Sequence, residues 1–146
     1  MTSYRSEALG APWPGISAGW GVRQGMRGGF VAGMAFMAYE MVMAASFHGA
    51  AALVRPLRRI GAIVLGPGAM APGRSAAAPV LTGLIVHVAL AVIFGAIFGL
   101  FVAAVRETAC NSTGGLVLAG GVFGLLLWLI NFHIIAPAAF PWFTES

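Results

Sequence analysis

A chain of 146 residues has the length of one domain, yet 60% of it is hydrophobic, only 8% is charged and its mean hydropathy is +0.92. Such usage excludes an ordinary soluble domain and points to an integral membrane protein. The net charge of +4 comes entirely from Arg, with no Lys. These Arg residues lie at the edges of apolar runs, so anionic lipid headgroups are the expected partners and nucleic acid is not. The single Cys, Cys110, excludes an internal disulfide framework and a Cys-based zinc or iron-sulfur site. Abundant Ala and Gly, with Arg in place of Lys, fit a GC-rich bacterial genome.

In chain order, residues 1–24 read as an irregular polar tail, given Pro12, Pro14 and their glycines, with Trp13 and Trp20 available at headgroup level. The tail has no compact apolar core of the signal-peptide kind, so the first span is expected to serve as its own insertion signal. A single membrane domain follows over 25–137. Its first span, about 28–47, is GGFVAGMAFMAYEMVMAASF, apolar but for Tyr39, Glu40 and Ser46. Gly25, Gly29 and Gly33 give it a small-residue face near its start, and Met34, Met37 and Met41 form a stripe suited to filling irregular gaps.

The segment of about 50–66, with Arg55, Arg58 and Arg59 around Pro56, is apolar enough to resemble a span. Each Arg at mid-membrane costs about 2.5 to 3.5 kcal/mol on the lenient insertion scale, so three outweigh the short apolar run beside them. The expected element is one interfacial or re-entrant helix whose three Arg form a basic edge for lipid phosphates or a partner's carboxylates; the alternative is a fourth transmembrane helix. Gly66, Pro67, Gly68, Pro72 and Gly73 then interrupt the chain.

The central span, about 80–105, is the clearest in the sequence, with no charged residue and one titratable one, His87. Gly83, His87, Ala91, Gly95, Gly99 and Ala103 recur at steps of four, so small residues make one stripe where another helix comes close. After a hydrophilic turn, Asn111, Ser112 and Thr113 offer N-caps for the last span, about 114–136. Asn111 also heads a glycosylation sequon, a reading outweighed in a bacterial protein so near the bilayer. Gly120, Gly124 and Trp128 stand at steps of four in this span, Pro137 is expected to end it, and Phe140, Trp142 and Phe143 in the tail 138–146 suit an aromatic belt. Fold class is therefore all-α, with three transmembrane helices plus one partial helix. Arg residues divide evenly between the two sides; Arg23 and Arg27 beside the first span favour an inside N-terminus.

Depth, at about 1.5 Å per residue, places polar groups of all three spans in the same half of the membrane: Glu40, His87, Asn131 and His133, with His48 at the boundary above them. Intramembrane ionisable groups point to a functional site. His87 and His133 are candidate ligands for a haem or metal. Glu40 with a histidine is a candidate proton relay or quinone site. The third use is mutual hydrogen bonding that holds helices together, each bond worth about 1 kcal/mol, and it is the preferred one. Neither GxSxG, GxxxxGK[ST] nor HExxH occurs, so no catalytic residues are assigned and no enzyme is expected.

The order of GGFVAGMAFMAYEM, RPLRRIGAIVLG, GLIVHVALAVIFGAIFG and GGVFGLLLWLI over residues 25–135 resembles small bacterial inner-membrane proteins of the YagU-like kind. This resemblance in layout implies a multipass inner-membrane protein and carries no site residues. The functional expectation is an accessory, structural subunit of a larger membrane complex, one of electron transfer in preference to transport, partnered by other membrane subunits and phospholipids. The rival is a haem-, metal- or quinone-binding or proton-relaying protein centred on His87, His133 and Glu40.

Overall fold

The computed structural model describes residues 17–105 and 112–140. Among these every regular element is helical, and three helices are long and apolar enough to cross a membrane. They are α1 (Ala18–His48), α3 (Ala77–Val105) and α4 (Thr113–Ala139), with the shorter α2 (Arg55–Leu65) between the first two. Eleven residues rise only about 16 Å, half of a hydrocarbon core, so α2 is too short to be a fourth span.

Helix α1 begins earlier than the sequence suggested. Ser17 caps it, its hydroxyl accepting from the Trp20 amide at 3.3 Å, and residues 18–24 are its first two turns rather than part of an irregular tail. Gly49 and Gly66, at φ of 83° and 84°, take the left-handed turns that end α1 and α2. A short 3-10 turn, Pro67–Met70, then leads toward α3.

The packing of α1 on α3 is a meeting of small residues, run antiparallel. Gly21 faces Gly99 and Ala103, Gly25 faces Gly95 and Gly99, Gly29 faces Ala91 and Gly95, and Gly33 faces Ala91. A methyl group added at Gly21 would stand 2.6 Å from the Gly99 carbonyl oxygen, and one added at Gly29 would stand 2.8 Å from the Gly95 Cα. The two backbones thus touch, a contact open only to glycine, and dispersion over four turns replaces the hydrophobic drive that lipid cannot supply. Below this zipper Met37 is 2% exposed, while Met34 on the same expected stripe is 39% exposed.

Helix α2 docks on the beginning of α3 by the same device. Gly83 lies against the Leu57 carbonyl and Gly61 against that of Pro79, with Leu57 and Ala62 buried. Leu57 and Gly61 of α2 thus lie beside the first two turns of α3. The Gly83 to Ala103 stripe is therefore covered by α1 and α2 of this chain.

Helix α4 stands apart. From Thr113 to Ile135 it has no buried residue. Its main tie to α3 is Phe123 against Phe98, ring centroids 5.1 Å apart, with Gly120 beside the Phe98 ring. Between α4 and the α1–α3 pair an apolar cleft of about 840 Å³ remains, walled by Trp20, Phe94, Val102 and Leu116. Pro137 does not end this helix at residue 136. A π-helical turn, Ile130–Ile135, precedes it, the Ala136 amide donates to the Asn131 carbonyl five residues back, and the helix continues to Ala139. A proline cannot donate and crowds the carbonyl four residues before it; a wider turn relieves both constraints. Arg106, Cys110, Asn111, Trp142 and Phe143 lie outside the described residues.

Candidate functional site

Where α1 ends and α3 begins, four helices frame an open cavity of about 740 Å³. Glu40, Tyr39 and His48 reach it from the last turns of α1, Arg55 and Arg59 from the first turns of α2, and His87 from α3; Phe132 closes it from α4. Phe36, Met43 and Ile60 make its apolar wall. Glu40, His87 and Arg59 are half-buried, while Arg55, His48 and Tyr39 are exposed.

His87 is fixed by the zipper beneath it. Its Nε2–H donates to the Gly33 carbonyl at 2.9 Å, which sets the tautomer because a carbonyl only accepts. Gly33 is needed for the helix approach itself: a Cβ there would lie 2.5 Å from that of Ala91 and only in ordinary contact, 3.6 Å, with Nε2. Nδ1 is left as the ring's acceptor. Ligation of iron through Nε2 would have to break the bond to Gly33.

Arg55 and Arg59 stand one turn apart on the same face of α2, so both guanidiniums meet the cavity. Arg58 does not join them, and the single basic edge of three Arg is corrected to two. The Arg58 side chain turns toward the following 3-10 turn, where Nη2 donates to the Ala69 carbonyl at 3.3 Å and Nε is buried without a hydrogen-bond partner among the described residues. Among the described residues no side chain caps the start of α2, and its Arg55 and Pro56 line the cavity, so the positive end of the helix also faces it.

The expected convergence of four polar groups is met by Glu40 and His87, with His48 above them, and not by the last span. His133 does not line the cavity; it packs edge-on against Trp128 at 4.9 Å. Asn131 spends its amide on its own helix, Nδ2 donating to the Leu127 carbonyl at 2.7 Å. Both residues lie within the π turn, where each step turns less about the axis than in a regular helix. A haem held between His87 and His133 is thus not supported by their placement. Among the described residues no three His, Cys, Asp or Glu side chains gather as metal ligands.

Of the packing residues expected from sequence, Gly29, Gly33, Gly83, Ala91, Gly95, Gly99 and Ala103 all sit in close helix contacts, Gly120 makes one ordinary contact, and Gly124 meets nothing within 4 Å. Gly21 and Gly61 were missed. Gly21 was legible as the continuation of the four-residue step through Gly25, Gly29 and Gly33; Gly61 has no such companion. No protein-family model, curated protein or solved structure matches the chain, so the site is read from its own chemistry.

Proposed function

We propose that this chain is a multipass protein of a bacterial inner membrane, N-terminus inside, that serves as an accessory structural subunit of a larger membrane complex. The carrying observation is the bare face of α4. Exposed leucines alone would argue nothing, because lipid is as apolar as they are. The glycines argue more. Each glycine in a helix interior costs about 1 kcal/mol relative to alanine, a cost offset at Gly21, Gly25, Gly29, Gly95 and Gly99 by close backbone contact, though not at Gly28. On α4, Gly121 and Gly124 meet nothing within 4 Å. A helix from another membrane protein, laid along that face, supplies the missing contact. An electron-transfer complex is the proposed setting by association only, since such complexes commonly carry subunits this small.

One observation favours a second reading, a proton relay or quinone site: Glu40 and His87, from different helices, line the same cavity. Gentle detergent extraction at native expression, with size separation, absorbance from ultraviolet to red and mass spectrometry of each peak, separates the two. Migration with a defined set of membrane proteins, retained in His87→Ala, is the expected result. A small particle carrying its own chromophore or quinone, lost in His87→Ala, would replace the subunit reading by the second.

A further inference from the structure

The cavity at the start of α2 has a composition that specifies a ligand. Two guanidiniums one turn apart and the positive end of a helix favour an anion. Among the described residues the carboxylate that lines it is Glu40, toward the α1–α3 zipper beside His87, so two guanidiniums against that one carboxylate leave one formal positive charge. One negative charge, that of a phosphodiester, neutralises it.

The remaining walls say what the anion is attached to. Phe36, Tyr39 and Phe132 are 55%, 58% and 49% exposed at the mouth, and Met43 and Ile60 continue the apolar surface inward. A free inorganic ion would leave this surface uncovered, whereas a hydrocarbon tail would lie along it. Arg55, close to the turn between α1 and α2, and Glu40, about two helical turns inward from His48, give the cavity a cationic outer end and a less charged inner one. That polarity matches an amphiphile entering from a bilayer with its head toward the boundary.

The geometry points to a binding site for one anionic phospholipid, its phosphodiester held between Arg55 and Arg59 and an acyl chain lying against Phe36, Met43, Ile60 and Phe132. Arg59 and Arg55 present N–H donors to the phosphate oxygens, a task to which guanidinium is better matched than ammonium. Arg58, turned away to Ala69, takes no part. Lipid held here would join α1, α2, α3 and α4 through the cavity that their side chains frame together. The site rests on the membrane reading of the chain and not on any partner subunit.

The test is native mass spectrometry of the full chain purified in detergent and reconstituted into nanodiscs of phosphatidylglycerol, phosphatidylcholine or an equal mixture of the two. Failure to enter any nanodisc would sink the membrane reading itself, before the site is questioned. From the mixture the wild-type chain should emerge with one phosphatidylglycerol retained at least tenfold over phosphatidylcholine. The double variant Arg55→Gln, Arg59→Gln should lose that preference, while Arg27→Gln, on the exposed surface of α1 and away from the cavity, should keep it. Equal retention of both lipids by the wild-type chain overturns the proposal without recourse to any variant. So does full retention by a double variant with wild-type melting behaviour. Displacement of the lipid by millimolar inorganic phosphate would assign the site to a free anion instead.

Discussion

Replacing Gly95 by alanine places a methyl group where the structure has no room. Its Cβ would fall inside van der Waals contact of the Gly25 carbonyl and 2.7 Å from the Gly29 Cα. Carbon atoms rest about 3.5 to 4.0 Å apart, so α1 must retreat by about 1 Å. A gap of that size forfeits a quarter to a half of each dispersion well along the zipper, and overpacked sites of this kind cost about 1 to 3 kcal/mol. We expect a loss near the upper end, about 2 to 3 kcal/mol, because backbone on both sides of the clash cannot rotate away as a side chain would. The same retreat would stretch the 2.9 Å bond from His87 to Gly33. The matched control is Gly124→Ala, whose Cβ meets nothing within 4 Å and which should be neutral or slightly stabilising through helix propensity. Reversible unfolding in mixed micelles, monitored by far-ultraviolet circular dichroism and tryptophan fluorescence, measures both. Equal stability of the two variants, within about 0.5 kcal/mol, would refute the backbone contact between α1 and α3.

Two further expectations concern polar side chains. His87→Phe fills the same space without the Nε2–H donor and should cost about 1 kcal/mol in the same assay, with Gly33 amide and carbonyl resonances shifting by nuclear magnetic resonance; an unperturbed Gly33 would contradict the hydrogen bond. Arg58→Met keeps the apolar stem, removes a buried Nε that has no partner among the described residues and gives up one long bond to Ala69, so its stability should stay within about 1 kcal/mol of wild type. Arg58→Ala should be clearly less stable than Arg58→Met, and the reverse order would count against this account of Arg58.

Length and periodicity carried much of the fold. Three apolar runs were readable as helices because each is long enough to cross a bilayer and lacks interior breakers, and the steps of four through Gly83 to Ala103 marked the face that meets α1 and α2. Depth was readable too: counting residues brought Glu40 and His87 to one level with His48 at the boundary above them, and all three line the cavity. Angle about the helix axis was not. In a lipid-facing helix both the buried and the exposed sides are apolar, so hydropathy does not say which way Phe132 or His133 points. The π turn ahead of Pro137 then shifts that angle again, bringing Phe132 to the cavity and leaving His133 against Trp128. Arg58 was misread for a related reason: three Arg within five residues look like one edge, but Arg58 lies about 100° around the helix from Arg59.

The central claim, that α4 meets another protein while the outer face of α1 meets lipid, is tested most directly by photocrosslinking in native membranes. Leu125 on α4 and Val42 on α1 are 57% and 58% exposed, so a photoreactive phenylalanine analogue at either site samples its surroundings equally well. The account predicts a discrete protein adduct from Leu125 and only lipid adducts from Val42. Lipid adducts alone from both positions would contradict it, leaving α4 as a helix bathed in bilayer and the chain without the partner proposed for it.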